Sequence, residues 1–280
     1  MPTLTTPISQ SKLTSISSHL DQTYFVFDFD GTLTQRSDEH GKARPSIISL
    51  LRDEWALDED YAQQAHEMYD RYSKIEHDTT LPRAVRTAAM QERWITHKEL
   101  LMAKWLTKAH IDHIITQDLI VMRPWTDELL RQADEHQIPV IIFSASGIGI
   151  NAIQPLLQHR WLDYDNIYVV SNELYRDDQW RMIGYNTPPI HSLNKTESTI
   201  HDDPQYADIK LMIADKTHVI VMWDGLWDAN MVSDQSWLTV LRVWLCNDKV
   251  EERLTQYQEV FDMVITYDDS LHELNSLLFD

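Results

Sequence analysis

Two aspartates stand one residue apart at the end of an apolar run, in the order Phe25-Val26-Phe27-Asp28-Phe29-Asp30-Gly31-Thr32-Leu33-Thr34. Side chains of an extended chain alternate faces, so Asp28 and Asp30 point the same way while Phe27 and Phe29 pack into a sheet. Two carboxylates that close repel unless a cation or a shared proton relieves them. Mg²⁺ suits this need, because it prefers oxygen ligands and keeps positions open for phosphate oxygens. A second apolar run, Ile141-Ile142-Phe143, ends in Ser144. A hydroxyl there lies where the amino end of a following helix favours an anion, although capping that helix is its simpler use. A third run ends in Trp223 and leads into Asp224-Gly225-Leu226-Trp227-Asp228. If the chain turns helically, Asp224 and Asp228 fall on one face, one turn apart, and add two acids to a metal site. Lys195 supplies the local cation that an anion site on an acidic chain needs.

The elements that must position these residues follow from the pattern of apolar runs. Short β-branched stretches at 24–29, 139–143, 167–170, 218–223, 238–244 and 260–265 are each followed by turn residues and a helix-like segment. Buried strands alternating with helices imply an α/β fold with a parallel sheet covered on both faces. About a hundred residues separate the first two runs, whereas a crossover needs only a few dozen. The expected organisation is a polar leader at 1–20, an α/β core made of 21–33 and 123–280, and an inserted helical cap at 34–122. Within the insert, helices are expected at 58–78 and 84–107, with Tyr61, Ala65, Met68, Tyr69 and Tyr72 on one apolar stripe and Met90, Trp94, Leu101 and Trp105 on another. A hairpin is expected over 174–185. The chain has only six glycines, and four of them, Gly31, Gly147, Gly149 and Gly225, follow strand ends. Ligands of open α/β sheets bind outside the carboxyl ends of the strands, so three strand ends are marked as one site.

Composition narrows the classes. Lys and Arg number 24 against 44 Asp and Glu, a formal charge of −20. A polymer of DNA or RNA is excluded as the main partner, because its affinity rests on a basic surface. A single cysteine, Cys246, excludes an internal disulfide and any multi-cysteine metal cluster, which fits a reducing cytoplasm. No run approaches the ~18 uninterrupted apolar residues of a membrane span. The first twenty residues lack the basic start and apolar stretch of a signal peptide. His110 and His113 lack the neighbouring acids or cysteines of a metal pair and are read as helix surface.

The arrangement resembles the haloacid dehalogenase (HAD) superfamily of phosphohydrolases. Its first motif, Asp-x-Asp-Gly-Thr, stands here as Asp28 to Thr32, and its Ser, Lys and paired-Asp motifs match Ser144, Lys195, and Asp224 with Asp228. A closer likeness is to the cytosolic pyrimidine 5′-nucleotidases of type III. It runs from about residue 23 onward through Tyr72-Ser73-Lys74-Ile75-Glu76, the stretch 138–145, Gly147-Ile148-Gly149, Val169-Val170-Ser171-Asn172, Asn194-Lys195 and Asp268-Asp269-Ser270-Leu271. The chain departs from that family in three places. Trp223-Asp224-Gly225 replaces Gly-Asp-Ser, Ser146 is an extra residue and Ile150 replaces an acid after Ser144, and His97 stands where the family has a cap serine.

The resemblance implies an HAD-like sheet with a helical cap, and a Mg²⁺-dependent phosphatase acting on a small phosphate monoester. Asp28 would be the nucleophile, forming an aspartyl-phosphate, and Asp30 the acid and then the base. Mg²⁺ would be held by Asp28, the Asp30 carbonyl and Asp224, with Asp228 steadying Lys195 or a metal-bound water. Ser144, Ala145 and Lys195 would bind the phosphate. Glu76 would contact the base, and Tyr69, Tyr72, Trp94 and His97 would shape the cap side. The expected substrate is a pyrimidine nucleoside monophosphate. The alternatives are an HAD phosphatase for another metabolite and a catalytically weak HAD-fold binding protein.

Overall fold

The computed structural model describes residues 4–5, 7–54, 56–225, 231–233, 235–258, 261–267 and 270–280. A short strand β1 (Leu4–Thr5) and helix α1 (Pro7–Ser17) precede β2 (Thr23–Phe27). Helices α2 (Ser49–Asp53), α3 (Glu59–His77), α4 (Arg83–Ala103), α5 (Lys108–Thr116) and α6 (Thr126–Glu135) come next, then β3 (Val140–Phe143), α7 (Gly149–His159) and β4 (Ile167–Val170). A hairpin of β5 (Leu174–Arg176) and β6 (Met182–Tyr185) leads to α8 (Glu197–Asp202) and α9 (Ala207–Ile213). The chain ends with β7 (His218–Trp223), β8 (Thr239–Cys246), α10 (Val250–Gln258), β9 (Met263–Thr266) and α11 (His272–Phe279). No helix of the described residues is long and apolar enough to cross a membrane.

The main sheet has the order β1-β9-β8-β7-β2-β3-β4, six strands parallel and β1 antiparallel at the edge. From β2 the chain steps outward through β3 and β4, then returns to the other side of β2 and steps outward again through β7, β8 and β9. The order therefore reverses between β2 and β7, and a reversal of this kind opens a crevice at the strands' carboxyl ends. All five residues of β2 and all six of β7 are buried. Alternation divides them between two cores: Phe25 and Phe27 join one face, Tyr24 and Val26 the other.

The described part of the first twenty residues, 4–5 and from 7 onward, does not form a leader lying off the core. Leu13 and Ile16 of α1 are buried against the sheet, α1 packs on α11, β1 pairs with β9, and Lys12 Nζ lies 2.7 Å from Asp262 Oδ1. The Ser/Thr-rich composition hid a helix whose inner face needs only a few apolar residues. Strand β2 ends two residues earlier than its apolar pattern, because Phe29 to Leu33 form one wide turn. Helix α4 ends at Ala103, and Trp105 takes a left-handed φ of 55° and swings outward, where Arg181 stacks on it at 5.0 Å. His110 closes a capping box with Thr107 at the start of α5.

The residues between β2 and β3 depart and return side by side, since Thr34 bridges Met122. Apart from a small cluster of Tyr72 and Met90 with Leu193, most of their buried apolar side chains belong to the main core. Tyr61 and Ala65 of α3, Leu101 of α4 and Ile114 of α5 join the same apolar cluster as Phe25, Ile142 and Ile153. Replacing Ile16, fully buried in that cluster, by alanine is expected to lower the free energy of unfolding by about 2–5 kcal/mol. Urea denaturation of Ile16→Ala measures this, and a change near zero would show that α1 does not dock.

Candidate active site

Asp28 is the first residue beyond β2, and its N–H donates to the Met222 carbonyl of β7 at 2.9 Å. That bond extends the ladder by one step and places the buried carboxylate at the reversal point. Lys195 Nζ lies 2.5 Å from Asp28 Oδ1, with both side chains almost wholly enclosed. A buried ammonium needs such a partner, because the cost of leaving water is offset only by a close opposite charge. The turn carrying Lys195 is tied locally: Asn194 Oδ1 accepts from the His191 N–H at 2.7 Å, and Asn194 Nδ2 donates to the Pro189 carbonyl at 2.9 Å.

Asp30 lies in the wide turn, where Gly31 adopts φ of +77° and donates its N–H to Thr34 Oγ1 at 3.0 Å. A side chain at Gly31 would overlap Asp224 Oδ2 as well as strain the backbone. The glycine thus brings the Asp30–Gly31 segment against the carboxylate that follows β7. The Ile47 N–H donates to Asp30 Oδ1 at 3.0 Å. Burial pushes the Asp30 carboxyl up to about 6 against that hydrogen bond, and the Asp28 charge adds to the rise. A carboxyl held near neutrality suits a group that must give and take a proton.

Asp224 has the Arg36 guanidinium 4.0 Å away and gives its carbonyl to Trp244 Nε1 at 3.1 Å. The bulky Trp223 does not crowd it. The indole is fully buried in the core on one face of the sheet, edge-on to Phe261 at 5.4 Å. Asp228 lies outside the described residues. Among the described residues no group of three or more His, Cys, Asp or Glu side chains converges on a metal position. Two carboxylates, Asp28 and Asp224, with the Asp30 backbone carbonyl nevertheless fit Mg²⁺, which binds through one or two carboxylates and fills its shell with water and phosphate oxygens. The close approach enforced at Gly31 is the observation that supports this fit.

Ser144 is the first residue beyond β3 and is buried; its Oγ accepts from the Ser146 N–H at 3.1 Å, leaving its own proton to donate. Its carbonyl accepts from Ser171 Oγ at 2.7 Å. Ala145 is half-buried in the same turn. Gly149 opens α7 with its Cα pressed against Ser171 and Asn172, and a side chain at Gly147 would strike the Trp94 ring. Trp94 therefore brings the helical insert down onto this strand end.

A cavity of about 530 Å³ lies within the insert, walled by Tyr61, Tyr69, Trp94 and His97 together with Arg36, Arg44, Arg52 and Arg93 and the acids Asp53 and Glu54. It adjoins the carboxylates through Arg36 and the β3 end through Trp94. His97 is buried, its Nε2 3.0 Å from Tyr61 Oη, and burial depresses it to about 3, so it is neutral. Two of the expected cap residues lie elsewhere. Tyr72 packs with Met90 against Leu193, and Glu76 is not among the residues lining the cavity. The Glu76 carboxylate is engaged by Arg93 at 3.1 Å and by Ser192 Oγ at 2.5 Å. Half-buried between two donors, it ties the insert to the turn that carries Lys195. Arg36 is a site residue that the motifs do not mark; the basic run Arg36, Lys42, Arg44 on so acidic a chain is the signal that could have found it.

The family model described as "Pyrimidine 5′-nucleotidase (UMPH-1)" matches residues 31–280. The chain belongs to the pyrimidine 5′-nucleotidase (UMPH-1) family. It is 30% identical over 255 residues to a 7-methylguanosine phosphate-specific 5′-nucleotidase of Drosophila melanogaster, covering 90% of this chain and 78% of that protein. The human protein of the same name is 26% identical over 259 residues, covering 92% and 84%. The crystal structure of cytosolic 5′-nucleotidase IIIB bound to cytidine superposes with a TM-score of 0.85 at 25% identity, over 99% of this chain and 92% of that one. A substrate-bound phosphoserine phosphatase shares the fold at a TM-score of 0.53 and 16% identity, over 90% and 96%. The UMPH-1 chain is thus an HAD-fold phosphatase of the 5′-nucleotidase type.

The raised Asp30 carboxyl makes a stability prediction. Its proton is held more tightly in the folded than in the unfolded chain, so its stabilising contribution is full below about pH 4 and is lost as pH rises through about 6. With a chelator present, Asp30→Asn is expected to match the wild type near pH 4 and to exceed it by about 1–3 kcal/mol at pH 7–8. Thermal melts at both pH values check this, and equal stabilities at pH 8 would show that Asp30 is not perturbed.

Proposed function

We propose that the protein hydrolyses nucleoside 5′-monophosphates through an aspartyl-phosphate on Asp28. The observation that carries this reading is the buried Lys195–Asp28 pair, set beside a carboxyl raised to about 6 and next to an aromatic-walled cavity. Asp28 Oδ attacks phosphorus in line as the bond to the ribose 5′-oxygen breaks, and Asp30 gives its proton to that oxygen. Asp30 then takes a proton from water, whose oxygen attacks phosphorus and releases inorganic phosphate and free Asp28. Splitting the displacement in this way replaces one difficult step by two easier ones. Lys195 and the Ser144 hydroxyl donate to the phosphoryl oxygens. Mg²⁺ at Asp28, the Asp30 carbonyl and Asp224 would offset charge on the transferring group.

The cavity supports selection of an uncharged base. Arg52 lies over the Tyr69 ring at 4.8 Å, and Arg93 lies over Tyr69 at 5.6 Å and Trp94 at 5.1 Å. Guanidinium groups already meet these rings, so a cationic base such as that of 7-methylguanosine competes with them for the ring faces, while a pyrimidine stacks without that competition. The cytidine bound by the solved relative and the family's name favour the same choice, whereas several relatives are named for 7-methylguanosine phosphate. A cytoplasmic location is supported by the Caenorhabditis elegans relative named putative cytosolic 5′-nucleotidase 3.

Asp28→Asn should abolish release of phosphate from CMP while leaving the melting temperature within a few degrees. Turnover within tenfold of wild type would remove Asp28 as nucleophile. Trp94→Ala is expected to lower kcat/KM for CMP by about tenfold or more, from loss of about 1–3 kcal/mol of base stacking. It should change p-nitrophenyl phosphate hydrolysis far less. CMP should also be preferred to 7-methyl-GMP in kcat/KM, and the reverse order would overturn selection by the guanidinium groups. Robust turnover of other esters with none of any nucleoside monophosphate would reject the nucleotide reading.

A further inference from the structure

A buried arginine that the mechanism does not use lies under the turn that carries Asp30. Arg123 is the residue at which the chain re-enters the core, next to the Thr34–Met122 bridge, and its own N–H donates to the Leu33 carbonyl at 2.8 Å. The side chain is 1% exposed. Its Nε donates to the Thr32 carbonyl at 2.7 Å, and its Nη2 donates to the Gly31 carbonyl at 2.8 Å and to Asn247 Oδ1 at 2.9 Å. Asn247, just past β8, donates its Nδ2 to the same Gly31 carbonyl at 2.7 Å. Two side chains remote in sequence thus converge on two successive carbonyls, and neither lines the cavity.

The peptide units they grip are those that follow Asp30. A five-residue turn with a left-handed glycine has few intrinsic restraints, and its carbonyls would otherwise be free to rotate. Holding the Gly31 and Thr32 carbonyls fixes the two peptide units that directly follow Asp30, where Gly31 is pressed against Asp224. A planar guanidinium can donate in parallel to two neighbouring acceptors, which an ammonium cannot reproduce.

We propose that Arg123, braced by Asn247, is a positioning residue that aims Asp30 at the leaving oxygen. The inference rests on the reading above of Asp30 as general acid. Misaiming the acid affects only substrates that need a proton. A ribose alkoxide cannot leave without one as the P–O bond breaks, whereas 2,4-dinitrophenolate leaves unprotonated, with the bond to Asp28 forming equally in both cases.

The experiment compares kcat/KM, which reports formation of the Asp28 acyl phosphate, on CMP and on 2,4-dinitrophenyl phosphate. Wild type, Asp30→Asn, Arg123→Lys and Asn247→Ala are compared with Mg²⁺ present. General acids contribute about 10²–10⁴-fold. Asp30→Asn is expected to lose about a hundredfold or more on CMP and much less on the aryl ester. Arg123→Lys should show the same split at about tenfold or more on CMP, and Asn247→Ala a smaller one. Asn247→Ala carries the test if the buried Arg123→Lys does not fold. A split in Asp30→Asn with none in Arg123→Lys or Asn247→Ala, or equal losses on both esters, would overturn the positioning role alone. No split in Asp30→Asn would overturn the general-acid reading and the positioning role with it.

Discussion

Three carboxylates, Asp28, Asp30 and Asp224, are gathered at the ends of two adjacent parallel strands, and the surrounding structure makes that concentration of negative charge tolerable. Each is relieved differently. Asp28 has the Lys195 ammonium at 2.5 Å, Asp224 has the Arg36 guanidinium at 4.0 Å, and Asp30 is pushed up to about 6. The differences matter chemically. A carboxylate set against a cation is placed to attack, whereas a carboxyl raised toward neutrality is suited to give and take a proton.

The same crowding explains the backbone. Asp224 comes up to the segment that carries Asp30 because β2 and β7 are neighbours at the reversal of strand order, and because Gly31 has no Cβ to hold the chains apart. Arg123 and Asn247 fill the opposite side of the turn, so the wide loop is clamped between a carboxylate above and donors below.

The helical insert is joined to this arrangement and does not float over it. Glu76 reaches Ser192, Arg83 Nη2 donates to the Leu193 carbonyl at 3.2 Å, and Tyr185 Oη donates to the Trp94 carbonyl. The contacts fall on the turn that carries Lys195 and on the hairpin beside it. The insert and the turn that places the ammonium are therefore tied together through the same few residues.

The motif Asp28 to Thr32, the alternation of buried runs with helices, and the hundred-residue gap after the first run make the α/β fold and its catalytic end legible in the amino-acid order. These signals are local, because burial on both faces of a strand and the turn chemistry after it are written in consecutive residues. The same local reasoning fails at α1, where a polar sequence supplies just enough apolar positions, and at Trp105, which the helical period places inside and the helix end turns out. Long-range pairing is not written in any window. Whether Glu76 meets a base or Ser192, whether Trp223 faces the metal or Phe261, and which side chains support Gly31 depend on segments that are distant along the chain. Sequence alone determined which residue types stand at the strand ends, where they could do chemistry; only the tertiary structure decided which partner each one meets, because packing assigns a buried polar group to whichever distant donor or acceptor the fold brings within hydrogen-bond reach.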